Sequence, residues 1–264
     1  MDKLTRAGTV TKSHKIAAFI RPIAHRGLHN AAQGIIENTT AAFSAAVTAD
    51  YAIECDLQAA RDGTPMVFHD DTIDRLIDGS GTVGRFMPDE LRAFRYKNAA
   101  DRTETMVSFE ELLELVGGRV PLLVEIKNGW QPPHPRFMEQ VIVPAKAYKG
   151  AIALQGYDPG VIHRVRLLAP DIPRGIVSRN FCGDGWWATR LSYWQKHCLS
   201  HLLHTPCVKP DFISYHLHDL PALMPLIARK VFKLPVFAWT VGTASDHAAA
   251  AKWADAPIFE GFRP

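Results

Sequence analysis

No stretch of this chain approaches the roughly 18 consecutive apolar residues that a membrane-spanning helix needs. Within Met1–Arg21 the apolar run Ile16-Ala17-Ala18-Phe19-Ile20 is too short to be a signal-peptide core followed by a cleavage site, so a cytoplasmic protein without a transmembrane segment is expected. Cysteine is sparse. The four thiols, Cys55, Cys182, Cys198 and Cys207, form no C-x-x-C pair and read as reduced. Neither sign of charge is in excess: 30 Lys and Arg stand against 27 Asp and Glu, and the basic residues are spread along the chain. A nucleic-acid partner needs a clustered basic patch, and none is expected here. Internal repeats, low-complexity tracts and a domain linker are also missing.

What remains is an ordinary globular composition, 47% hydrophobic and 22% charged, in 264 residues. That length suits one large domain, and α/β barrels commonly reach it.

The densest chemical signal runs from Glu54 to Asp70. Asp62-Gly63 between two apolar-rich runs predicts a β-hairpin. A two-residue loop there places Arg61 opposite Thr64 and Asp56 opposite His69, with β-carbons about 4.5–5.5 Å apart. Strand alternation sends Glu54 to the same face as Asp56. Buried acids cost several kcal/mol unless paired or bound to a metal, so this face predicts a divalent cation rather than packing.

Strand-length apolar runs recur along the chain. They are Ile23–His25, Ala52–Gln58, Leu122–Ile126, Ala151–Leu154, Gly175–Ser178, Phe212–Tyr215, Val236–Trp239 and Pro257–Glu260, with Met66–His69 as the returning arm of the hairpin. Helix starts fall between them: Asn38 or Thr39, the Ser108-Phe109-Glu110-Glu111 capping box, Asp158-Pro159 and Ser245. Alternating strands and helices predict an α/β fold, a TIM-type (β/α)8 barrel, with an open doubly wound sheet as runner-up. The Asp-, Gly- and Arg-rich segment 70–107 is long for a connection and predicts a small insertion after the second strand and its hairpin, near the barrel mouth. One domain over 1–264 is expected.

Reactive residues of such barrels sit at the C-terminal ends of strands. His25 ends the first run, Glu54 and Asp56 lie on the second, Glu125 and Lys127 end the third, and Trp239 ends the seventh. Arg26 after His25 offers planar donors suited to phosphate. Three carboxylates without a thiolate or multi-His set favour a hard, oxygen-seeking cation such as Mg²⁺ or Ca²⁺. Two imidazoles near pKa 6.5 suit proton transfer at neutral pH.

His25-Arg26-Gly27, Glu37-Asn38-Thr39, Glu54-x-Asp56, Asp62-Gly63, Phe68-His69-Asp70-Asp71-Thr72, Asp78-Gly79-Ser80-Gly81 and Glu125-Ile126-Lys127 stand in an order and spacing that resemble the glycerophosphodiester phosphodiesterase family. The likeness is dense from Ile23 to Lys127, and Leu154–Pro159 and Ala238–Val241 resemble later landmarks. The resemblance implies a barrel with one divalent ion that cleaves small-molecule glycerophosphodiesters to glycerol 3-phosphate and an alcohol. It assigns Glu54, Asp56 and Glu125 to the metal, His25 and His69 to acid/base catalysis, and Arg26 and Lys127 to the phosphate. Asn38 and Trp239 are candidates for the substrate pocket, Asn38 equally for a helix cap and Trp239 equally for barrel packing. Attack by the substrate's own 2-hydroxyl through a cyclic phosphate and direct attack by water both fit these residues.

Three places depart from the family pattern: Gly242 after Trp239-Thr240-Val241, Gly156 after Gln155, and the ending Ile258-Phe259-Glu260-Gly261. They bear on the alcohol portion of the substrate. One alternative is a lysophospholipase D-like or other phosphodiesterase using the same site, with Phe86-Met87 in an apolar groove. Another is a non-catalytic barrel that binds a phosphorylated ligand. A helix is expected from Asp184 to Leu203, with Trp186, Trp187, Tyr193 and Trp194 docked on the barrel. Cys198, His201, His204 and Cys207 recur every three residues, but one helix cannot gather all four around one ion.

Overall fold

The computed structural model describes residues 12–131, 134–185 and 187–264. The first eleven residues of the Met1–Arg21 stretch, and Trp186, lie outside them. Eight parallel strands close a barrel: β1 (Ile23–Ala24), β2 (Ala52–Ala59), β4 (Leu122–Ile126), β5 (Ile152–Gly156), β6 (Arg174–Ser178), β7 (Phe212–His216), β8 (Val236–Val241) and β9 (Ala256–Phe259). Closure rests on β1, where Ile23 is in register with Ala52 of β2 on one side and Ile258 of β9 on the other. That double pairing excludes the open sheet. The short β3 (Pro65–Val67) runs antiparallel to the end of β2.

Helices occupy the connections. α1 (Lys12–Ala17) precedes β1, and α2 (Thr40–Thr48) joins β1 to β2. α3 (Pro88–Ala93) and α4 (Phe109–Val116) lie between β3 and β4, α5 (Pro135–Ala147) follows β4, and α6 (Pro159–Leu168) follows β5. α7 (Trp187–Arg190), α8 (Tyr193–Ser200) and α9 (Thr205–Val208) lie between β6 and β7, and α10 (Leu223–Lys230) and α11 (Ala244–Trp253) complete the outer ring. Among the described residues no helix is long and apolar enough to cross a membrane.

The expected capping box forms at α4, where Ser108 Oγ accepts from Glu111 N and Glu111 Oε2 accepts from Ser108 N at 2.7 Å. Asp158 caps α6 as expected, whereas α11 is capped by Thr243, two residues before the expected Ser245. Thr39, not Asn38, caps α2.

Alternation along the strands builds two cores. One face, including Ile53, Cys55, Leu57, Val124, Leu154 and Ile213, packs under the helices. The other face fills the barrel floor with Ile23, Leu123, Phe212, Phe237 and Ile258, and Ile16 and Phe19 enter from below. Strands buried on both sides are near-continuously apolar, which is why they stood out in the sequence. Each fully buried Phe in this floor contributes about 1.5–3 kcal/mol. Space is tight: a Cβ on Gly175 of β6 would lie 2.1 Å from the Phe212 ring.

The hairpin differs from the sequence expectation by one residue. Leu57 pairs with Val67 and Ala59 with Pro65, so Ala60 and Thr64 close a three-residue loop and Phe68, not His69, stands opposite Asp56. The cause lies in the turn: Gly63 alone has positive φ (+89°), and the Asp62 carboxylate accepts from Thr64 N at 3.0 Å. An Asx turn followed by a left-handed residue fits a three-residue loop, whereas a type I′ turn needs two positive φ values.

Segment 70–107 folds over a separate apolar cluster that includes Ile73, Ile77, Val83, Leu91 and Tyr96 together with Phe68 from the hairpin. Phe86 packs edge-on against Phe94 at 5.2 Å and lies half-buried against that cluster. Within the segment, Glu104 ties it to the start of α2, accepting from the Thr40 hydroxyl at 2.6 Å and from Ala41 N at 3.3 Å.

The helix expected over 184–203 is broken. α7 ends at Arg190, and Ser192 opens a new capping box with Gln195 for α8. Trp187 is buried as expected, but Tyr193 and Trp194 are 75% and 71% exposed and do not dock on the barrel.

Candidate active site

The C-terminal rim of the barrel collects the charged residues. Glu54, Asp56 and Glu125 are buried on the inner face of β2 and β4, and Asp56 is in register with Glu125. One carboxylate oxygen from each lies within 4.8 Å of the others, the only such acidic, His or Cys grouping among the described residues. Cys198, His201, His204 and Cys207 make no comparable group.

Lys127, one residue past β4, lies 3.0 Å from Asp56 Oδ1 and 2.5 Å from Glu125 Oε1. Lys127 is thus the charge partner of both oxygens. Three hard oxygens converging in one buried spot fit a divalent cation.

Burial alone would raise the pKa of Asp56, but Lys127, His69, Arg26 and His25 outweigh it and hold the carboxyl below its ordinary value. For Glu54, burial and repulsion from Asp56 and Glu125 win, and its pKa lies well above the usual range. Burial would lower that of Lys127, yet Asp56 and Glu125 raise it.

The two imidazoles flank this cluster in matched settings. His25, directly after β1, has Nδ1 2.5 Å from Glu260 Oε2 and Nε2 3.9 Å from Glu54 Oε2. Burial lowers the His25 pKa, with Glu260 opposing. Hydrogen bonding to His25 and then to His29 holds Glu260 well below the carboxylate range. His69 has Nδ1 2.7 Å from Asp70 Oδ1. Burial would raise Asp70, but hydrogen bonds with His69 and Arg75 hold it below its usual value. In both pairs a carboxylate at Nδ1 favours a proton there and leaves Nε2 for the pocket.

A continuous network links the remaining residues. Arg26 donates its backbone N–H to Glu54 Oε2 at 3.1 Å and its guanidinium to Glu37 at 2.7 Å, with Nε 3.6 Å from Asp56. Glu37 also accepts from Arg75, which holds Asp70 through Nε at 2.6 Å. Asn38 donates to Asp56 Oδ2 at 2.9 Å, so it orients an acid of the cluster and is not a cap.

His25, Arg26, Glu54, Asp56, His69 and Glu125 line one pocket of about 80 Å³, together with Lys127 and Trp239. A larger cavity of about 380 Å³ opens beside it toward Trp130, Tyr157, Arg179 and Arg190. Trp239 borders both and meets Tyr157 edge-on at 5.9 Å.

Sequence reasoning did not find Glu260, Arg75 or Arg179. Glu260 had a signal: in a closed barrel β9 pairs with β1, so the residue after β9 meets the residue after β1. Arg75 and Arg179 sit in connections whose paths no local pattern fixes.

The barrel and the charge arrangement at its mouth define an enzyme of the barrel phosphodiesterase class. The chain belongs to the glycerophosphoryl diester phosphodiesterase family, whose profile matches residues 25–260. It is 28% identical over 236 residues to a glycerophosphodiester phosphodiesterase of Caldanaerobacter subterraneus subsp. tengcongensis, covering 85% of this chain and 86% of that protein. Among solved structures, a phosphodiesterase of Oleispira antarctica in complex with the product sn-glycerol-3-phosphate superposes with a TM-score of 0.72 at 20% identity, covering 93% of this chain and 94% of that one. A glycerophosphodiester phosphodiesterase of Thermotoga maritima gives 0.66 at 18% identity, with 91% and 93% covered.

Proposed function

We propose that this glycerophosphodiester phosphodiesterase hydrolyses its substrates to glycerol 3-phosphate and an alcohol with a divalent cation, Mg²⁺ or Ca²⁺, and two histidines as the acid/base pair. The observation that carries this reading is the convergence of three buried carboxylate oxygens within 4.8 Å in the pocket that His25 and His69 line. Glu54, Asp56 and Glu125 would hold the ion, which when bound supplies positive charge against the non-bridging oxygens of the phosphate.

The protein's own residues do the rest. Arg26 and Lys127 face the same pocket and add fixed positive charge where the transition state gains negative charge. Charge-assisted bonds to phosphate are roughly twice as strong as neutral ones, which suits Arg26, already fixed by Glu37. One imidazole takes a proton from the attacking hydroxyl at Nε2, and the other gives a proton to the leaving alkoxide. Glu260 and Asp70 engage both rings at Nδ1, which leaves Nε2 free on the neutral ring that acts as base and protonated on the imidazolium that acts as acid. The same arrangement serves water or the substrate's 2-hydroxyl as nucleophile. The product bound in the Oleispira antarctica structure supports glycerol 3-phosphate as the retained half.

The test measures alcohol release from glycerophosphodiesters by wild type and His69→Ala, with and without chelator. The reading requires loss of activity in both cases. Turnover that survives chelation and His69→Ala alike would end it.

A further inference from the structure

The cavity of about 380 Å³ beside the acid cluster has the right position for the alcohol that leaves, and its wall is unusual in where its donors and acceptors are spent. Every carboxylate on that wall outside the cluster is committed. Asp70 is held by His69 and Arg75, Asp71 by Arg190 at 2.9 Å, and Asp158 by Asn128 and by the Gly160 N–H at 2.7 Å.

The two arginines on that wall are paired but keep N–H donors to spare. Arg179, directly after β6, has a buried Nε that meets no acceptor among the described residues. Its nearest carboxylate, Asp219, stands 3.8 Å away and already accepts from Asn180 N and His216 Nδ1 at 2.9 Å each. Arg190 bonds Asp71 through one terminal nitrogen, and a guanidinium carries five N–H donors.

The aromatic side chains of the cavity would otherwise suggest a box for a quaternary ammonium. Here the Arg179 guanidinium lies 4.4 Å from the centroid of the Trp187 ring, so the protein's own cation already covers that face. A second cation brought beside it would meet repulsion, whereas an anion would find the guanidiniums of two arginines that line the same cavity.

Resting on the phosphodiesterase reading above, we propose that this cavity selects a leaving alcohol that carries a second anionic group, a carboxylate or a phosphate, bound by Arg179 and Arg190. Planar guanidiniums take either group through paired N–H donors.

The test compares kcat/KM for four glycerophosphodiesters that differ in the leaving alcohol. These are bis(glycerophospho)glycerol, with a second phosphate; glycerophosphoserine, with a carboxylate; glycerophosphoglycerol, which is neutral; and glycerophosphocholine. Either anionic diester is expected to exceed glycerophosphocholine by about tenfold or more, and the first two compounds separate phosphate from carboxylate selection. Arg179→Gln and Arg190→Gln should each narrow that ratio, and the double substitution should bring it within about threefold. Arg190 is half-exposed, so its substitution reads the charge effect even where the loss of Arg179 disturbs Trp187 packing.

Equal or better turnover of the choline diester, or a preference that survives the double substitution, overturns the inference. Release from none of the four substrates would count against the phosphodiesterase reading instead. Calorimetric affinities of the chelated protein for the same compounds then decide the selectivity, and affinities that do not follow the same order overturn it.

Discussion

Glu260 Oε2 stands 2.5 Å from Nδ1 of His25 across the seam where β9 meets β1, which joins two residues 235 positions apart. Barrel closure therefore does chemical as well as structural work. The strand that completes the cylinder delivers the carboxylate that fixes a candidate catalytic ring.

Glu260→Gln keeps the size of that side chain and removes its charge. We expect kcat to fall by about 10- to 100-fold with KM little changed, because general acid/base catalysis is worth about 10²–10⁴ and misorienting the ring forfeits part of it. Glu260→Asp should recover some of the loss. Steady-state kinetics check this, and an unchanged kcat in the Gln variant would remove Glu260 from the mechanism.

How much of this could be read in the sequence depends on the distance over which each feature is determined. The strands were legible because burial on both faces makes them continuously apolar, and the acids and imidazoles because they end those strands within a few residues of recognisable motifs. The hairpin register was not, since the Asp62 carboxylate bonds Thr64 N and adds one residue to the loop, a choice that Asp-Gly alone does not dictate. The break at Ser192 was missed because the segment is helical in composition on both sides, and a cap bond made by one serine divides it. Arg179 and Glu260 act through residues far away in the chain, and only the assembled barrel brings them to the rim.

Cation binding should register as stability as well as activity. A ligand at 100 times its dissociation constant stabilises a protein by about 2.7 kcal/mol. For a chain of this size that corresponds to a rise in Tm of about 5–10 °C on adding Mg²⁺ or Ca²⁺ to chelated protein. Asp56→Asn removes one of the buried oxygens and should abolish the rise. A Tm that responds equally in wild type and variant would place the ion elsewhere.

His204 makes stability depend on pH far from the reaction centre. It lies between α8 and α9 with both ring nitrogens buried and neither in a well-aligned hydrogen bond. Burial lowers its pKa from 6.5 to about 4, with the Cys198 backbone opposing only in part. Between those values the unfolded chain takes a proton that the folded chain refuses, so this contribution is complete above pH 6.5 and is lost as pH falls toward 4. The expected loss is about 3 kcal/mol. Denaturant unfolding of wild type and His204→Leu from pH 7 to pH 4 should show the wild type losing more stability. Parallel curves would mean that the ring is hydrated in the folded protein.

The barrel floor supplies the most stringent test of packing. Gly175 faces inward on β6, and a methyl there would sit 2.1 Å from a carbon of the Phe212 ring, far inside van der Waals contact. The ring cannot retreat easily, since it stacks on Phe237 at 5.0 Å between centroids. Gly175→Ala should therefore destabilise the fold by about 1–3 kcal/mol or more, as overpacking of a filled core does. Shortening the opposing side chain makes room, so Phe212→Leu combined with Gly175→Ala should be more stable than the sum of the two single effects allows. Chemical denaturation of the four proteins in that cycle gives the coupling directly, and strict additivity would show that the floor relaxes around the new methyl without involving Phe212.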